Sequence, residues 1–104
     1  MNKVIRNGKV AVLVSPGYGA GWYSWNQDYK ELLFHPKLVE LVEQGNQKEI
    51  DEEWVKNNLG LEDVYCGGAK NLQIVWLKEG TAFIIEEYDG SESVRTLDDL
   101  TLIA

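Results

Sequence analysis

The apolar run Val10-Ala11-Val12-Leu13-Val14 is the clearest feature of the hydrophobic pattern. Its lack of alternation predicts a strand buried on both faces, central in a sheet. Lys3 to Arg6 reads as a shorter strand before it, and Asn7-Gly8 between them is the strongest short-range hairpin signal. Pro16 ends the second strand, because proline cannot donate to a ladder. Gln27 to Phe34 is ambiguous, with Asp28 placed to cap a short helical turn. Pro36 suits the first position of a helix. Leu38, Val39, Leu41 and Val42 then form an apolar stripe at helical spacing, and Gly45 stands where that helix should close. Asn46 with Glu49 resembles a capping box. It predicts a second helix over about Gln47 to Asn58, burying Ile50, Trp54, Val55 and Leu59 and ending at Gly60.

From Leu61 the pattern changes to period two. Strands are expected at Asp63 to Cys66, Leu72 to Leu77, Thr81 to Tyr88, Ser93 to Leu97 and Leu100 to Ile103. Gly67-Gly68, Lys78-Glu79-Gly80, Asp89-Gly90 and Asp98-Asp99 separate them. Runs of strands with a separate block of helices mean α+β. The expected layout is one domain over residues 1–104, an antiparallel sheet with two consecutive helices packed on one face. The other face is left wet or paired with a second copy, so a homo-oligomer is one expectation.

Between the central strand and the helices lies Ser15-Pro16-Gly17-Tyr18-Gly19-Ala20-Gly21-Trp22-Tyr23-Ser24-Trp25-Asn26. Its three alternate glycines let another backbone or a ligand approach closely, and successive amides in such a loop can form an anion-binding nest. Trp and Tyr add flat faces with a polar edge. It is neither a P-loop, lacking the Gly-Lys-Ser/Thr end, nor a dinucleotide fingerprint, whose glycine spacing differs. A plain turn with core aromatics is the competing reading.

Charge sharpens this picture. The net charge is −7, which argues against binding a nucleic-acid backbone. It is uneven: residues 1–39 sum to +3 and residues 40–104 to −10. The glycine loop thus sits in the positively balanced part, with Lys3, Arg6 and Lys9 in the preceding hairpin as candidate phosphate partners. No apolar run approaches the ~20 residues of a membrane helix. The start of the chain does not read as a signal peptide, and Cys66 is the only cysteine, which fits a reducing cytoplasm.

Candidate chemistry is thin. His35, the only histidine, precedes Pro36 at a helix start, where a structural role is commonplace. Cys66 reads as a small hydrophobe in a strand rather than a nucleophile. Glu86 and Glu87 point to opposite faces of their strand. Glu87, Asp89 and Glu92 around the hairpin form either a solvated acidic turn or a loose cation collector without the EF-hand spacing. One His and one Cys leave no zinc set. No cofactor, metal or catalytic residue is expected.

Val14-Ser15-Pro16-Gly17-Tyr18-Gly19-Ala20-Gly21-Trp22 and Glu87-Tyr88-Asp89-Gly90-Ser91-Glu92-Ser93 resemble segments of small open reading frames of phages and bacteria. That resemblance implies an accessory protein, of the kind a phage turns against host defence by trapping a signalling nucleotide or blocking a host protein. It assigns no residue a role. The expectation is a non-catalytic protein that binds a small anionic, nucleotide-like ligand. Its candidate binding residues are Ser15, Gly17, Tyr18, Gly19, Gly21, Trp22 and Trp25, with Lys3, Arg6 and Lys9. The alternative is an acidic inhibitor or adaptor that docks on a basic protein partner through exposed tryptophans, with mimicry of nucleic-acid charge as one way of doing so.

Overall fold

Antiparallel pairing sets β2 (Lys9–Val14) between β1 (Ile5–Arg6) and β3 (Gln73–Lys78) in a computed structural model that describes residues 2–97. Val10 pairs with Leu77 and Val14 with Gln73. The hairpin turn is Asn7-Gly8, both residues at positive φ, as a type I′ turn demands. β4 (Phe83–Tyr88) and β5 (Ser91–Thr96) form a second, two-stranded antiparallel sheet around Asp89-Gly90. α1 (Pro36–Glu43) and α2 (Glu52–Leu59) lie in sequence between β2 and β3, two strands of the first sheet. The fold is α+β, as the pattern predicted.

β2 is buried on both faces. Ala11 and Leu13 join Leu38 and Val39 of α1, Val55 of α2, Trp22 and Leu72 in the larger core. Val10 and Val12 face the other way, with Leu33 and Phe34, against Phe83, Ile85 and Val94 of the second sheet. That face is therefore neither wet nor open to a second copy. The β4–β5 hairpin covers it, which is why the strands after residue 80 do not extend the first sheet.

Three local expectations are corrected. The helix expected over Gln47 to Asn58 is a 3-10 turn at Gln47–Glu49 followed by α2, because Ile50 and Asp51 are extended. Asp51, not Asn46, supplies the cap, its Oδ1 accepting from the Trp54 amide at 2.7 Å. Residues Asp63 to Cys66 form no strand. Asp63 has φ 60°, and both backbone groups of Tyr65 bond to the Asn26 side chain, at 2.9 Å each. The ambiguous Gln27 to Phe34 stretch contains a 3-10 turn at Lys30–Leu33, entered from Tyr29 rather than capped by Asp28. The strand expected at Leu100 to Ile103, with Asp98-Asp99 before it, lies outside the described residues.

His35 caps α1, its Nδ1 accepting from the Lys37 amide at 3.1 Å. Burial, with help from Lys37, holds its pKa below the usual histidine value, while Glu31 opposes this. A histidine depressed in the folded chain contributes stability that is complete above the unfolded pKa of about 6.5 and is lost as pH falls below it. The urea midpoint should fall between pH 7.5 and 5.5. In His35→Asn, which keeps a capping oxygen without titrating, that fall should be smaller.

Candidate functional site

Glu92 organises the glycine loop. β5 alternates, so Glu92 and Val94 share its inward side, and Glu92 is only 2 % exposed. Its Oε1 accepts from the Ser15 amide at 2.9 Å. Its Oε2 accepts from the Trp22 and Ser24 amides, both at 2.8 Å, and from the Ser24 hydroxyl at 2.6 Å. The expected nest of successive glycine amides is not what holds an anion here: the separated amides of Ser15, Trp22 and Ser24 do, and the anion is the chain's own carboxylate. Glu92 is thus not part of a solvated acidic turn. Nor is it free to collect a cation with Glu87, which accepts from the Gly90 amide at 2.8 Å.

The loop and the β4–β5 turn are further stitched together by backbone. The Gly19 amide donates to Asp89 C=O and the Glu92 amide to Ser15 C=O, both at 2.8 Å. The Ser91 hydroxyl donates to Pro16 C=O at 2.6 Å. A side chain on Gly90 would collide with the Ala20 backbone, and one on Gly68 would meet Gly21 C=O at 2.7 Å. The close approach that the glycines permit is of one segment of the chain to another.

The candidate residues separate accordingly. Ser15 and Trp22 are fully buried. The Ser15 hydroxyl donates to Gly68 C=O at 2.8 Å, and the Trp22 indole to Leu32 C=O at 2.8 Å. Arg6 and Lys9 lie at the far end of β2, about 17 Å from the loop at 3.4 Å per residue. Lys3 stands beside Val10 and Val12 and sits over Phe34, while Arg6 pairs with Glu43 and lies over Trp76. That pairing raises the Arg6 pKa and lowers that of Glu43. The structure therefore does not assemble the basic hairpin with the loop. Gly17 opens instead onto a shallow concavity shared with Pro16, Gln47, Lys70, Asn71 and Gln73.

Tyr18 and Trp25 remain at the surface, 75 % and 43 % exposed. Trp25 stacks on Tyr65, ring centres 5.4 Å apart and planes inclined by 30°. Glycines seat both rings. A Cβ on Gly21 would lie 2.8 Å from the Trp25 ring, and one on Gly67 2.6 Å from the Tyr65 hydroxyl. The pair divides two concavities. One is lined by Trp25, Gln27, Asp28, Tyr29 and Asp63, the other by Asp51, Glu52, Asp63, Tyr65 and Cys66. Tyr65, Asn26 and Asp63 were not among the candidate binding residues, and Asp28 was read only as a cap. The one available sign was the run of acids from Asp51 to Asp63 flanking an aromatic.

Cys66 lies in a turn, not a strand. Its thiol donates to Val64 C=O at 3.5 Å. Burial, then Asp51 and Glu52, raises its pKa to about 11, which keeps it a thiol at neutral pH. No hydrogen bond joins it to His35 among the described residues. Those residues also contain no group of three or more His, Cys, Asp or Glu placed to hold a metal, and no helix long and apolar enough to cross a membrane. No family model, curated protein or solved structure matches the chain.

Glu92→Gln turns one acceptor into a donor facing amide donors. It should cost about 3 kcal/mol or more, lowering Tm by at least about 12 °C in a domain of this size. Gly90→Ala should be similarly damaging, because backbone cannot yield. Gly8→Ala, equally left-handed but in open space, should cost only about 1 kcal/mol. Thermal melts of the three variants check the ranking. Cys66 should alkylate far more slowly than glutathione at pH 7.5, with the rate still rising beyond pH 10.

Proposed function

We propose that the chain is a non-catalytic binding protein whose Trp25–Tyr65 face takes a basic segment of a protein partner. The observation that carries this reading is the stacked, half-exposed pair seated over Gly21 and Gly67, with Asp28, Asp51, Glu52 and Asp63 around it. Trp and Tyr are the residues that dominate interface energetics, and a carboxylate rim selects cations and steers their approach. The amides at positions 19, 22 and 24 already donate within the chain. The resemblance to phage and bacterial accessory reading frames accords with a chain that works by occupying a partner.

One observation favours the anionic-ligand reading. The concavity at Gly17 carries Lys70 and the amide side chains of Gln47, Asn71 and Gln73, with no carboxylate in its lining. A nucleotide would sit there by its phosphates, and none of the aromatic candidates Tyr18, Trp22 and Trp25 lines that concavity.

Calorimetric titration separates the two readings. A lysine- and arginine-rich peptide should bind, with affinity falling steeply with salt, and an acidic peptide of equal length should not. Trp25→Ala and Tyr65→Ala should each weaken binding at least tenfold while leaving the melting temperature within a few degrees. Binding of ATP that Lys70→Ala abolishes, with no response to basic peptides, would overturn the protein-partner reading in favour of the other.

A further inference from the structure

The concavity beside Trp25 is more specific than a general acidic surface, and its role as a pocket rests on the protein-partner reading above. It has a volume of about 350 Å³ and is lined by Ser24, Trp25, Asn26, Gln27, Asp28, Tyr29 and Asp63. Its lining comes from residues 24–29 and from Asp63, and hydrogen bonds tie the 24–29 segment to the residues flanking Asp63. Asn26 bonds both backbone groups of Tyr65, and the Tyr29 hydroxyl donates to Glu62 C=O at 3.0 Å. Val64, between Asp63 and Tyr65, is 3 % exposed and anchors this stretch in the core. The site is therefore built before anything enters it, which reduces the ordering cost of binding.

Its chemistry is asymmetric. Asp28 and Asp63 line it from two separate segments of the chain, and neither forms an ion pair among the described residues. Glu62 nearby is paired with Lys56 at 3.6 Å, so the two aspartates are the charges left over. An indole forms a third side. A planar cation that can stack on the indole and bridge two carboxylates answers all three features. Guanidinium does this, whereas an ammonium supplies only a point charge.

We infer that this concavity is an anchor pocket for a single arginine side chain of the partner. The guanidinium lies against Trp25 and donates to Asp28 and Asp63.

Amide-resolved NMR titration of the whole chain tests this, using three hexapeptides of alternating glycine with arginine, lysine or citrulline. The arginine peptide should shift the amides of Trp25 to Tyr29 and Asp63 and the Trp25 indole resonance. The lysine peptide should bind at least fivefold more weakly. Citrulline, the same shape without charge, should leave these resonances in place. Asp28→Asn with Asp63→Asn should weaken the arginine peptide at least tenfold with an unchanged melting curve, since asparagine tolerates the left-handed backbone at position 63. Equal shifts with citrulline would overturn the pocket. So would arginine binding that Trp25→Ala abolishes but the double asparagine variant leaves intact, and the aromatic face would then survive without its anchor. No binding of either cationic peptide would remove both readings.

Discussion

A single carboxylate with four donors holds the two halves of this fold together. Glu92 belongs to the last described strand, and the amides of Ser15, Trp22 and Ser24 belong to the loop that follows β2. A carboxylate taken out of water is costly unless every lone pair is answered. Here three amides and the Ser24 hydroxyl answer them without any cationic side chain. Charge-assisted bonds to fixed amides are also directional, so Glu92 sets the path of the loop as well as its stability. Once that path is set, Trp22 enters the core and Trp25, three residues on, stays at its edge.

β2 explains why such a clasp is needed. Its Ala11 and Leu13 side is covered by helices that are close in sequence and locally capped. Its Val10 and Val12 side depends on a hairpin from the other end of the chain, contributing Phe83, Ile85 and Val94. An isolated two-stranded hairpin is marginal in water. Apolar contact holds one end of it, while Glu92, Gly19 to Asp89 and Ser91 to Pro16 fix the other. Long-range burial and the buried carboxylate are thus parts of one solution.

Much of this was readable from local pattern, and the misses share one cause. The Asn7-Gly8 and Asp89-Gly90 turns, the double burial of β2 and α1 starting at Pro36 all follow from chemistry within a few residues. The loop was legible as a place for an anion, but neither its donors, Ser15, Trp22 and Ser24 rather than the glycines, nor its occupant were, because position 92 is far away in sequence. Glu92 among Glu87 and Asp89 looks like one more surface acid. Its alternation with Val94 is the trace of its inward direction. Asp63 to Cys66 looked like a strand because Val64 and Tyr65 favour one, yet the Asn26 side chain satisfies the Tyr65 backbone in place of a neighbouring strand. Trp25 and Trp22 have the same residue type and nearly the same neighbourhood. Only the Glu92 contact and the space over Gly21 decide which is core and which is surface.

These internal commitments constrain what the exterior can recognise. The loop's donors at 19, 22 and 24 are turned inward, and the basic residues Arg6 and Lys3 of the first hairpin are taken up by Glu43, Trp76 and Phe34. What faces outward at the Trp25 edge is indole, phenol and carboxylate. An aromatic pair of this size could have been packed inward, as Trp22 is, and leaving it half exposed forgoes roughly half of the 1.5–3 kcal/mol that fully burying a large side chain gains. Two glycines nonetheless make room for the rings to lie against the surface, and the Asn26 bridge fixes the segment beneath them. An arrangement that gives up burial and then rigidifies what it exposes is better explained by recognition than by folding. On the reading proposed above, the sign of the surrounding charge makes the recognised group a cation.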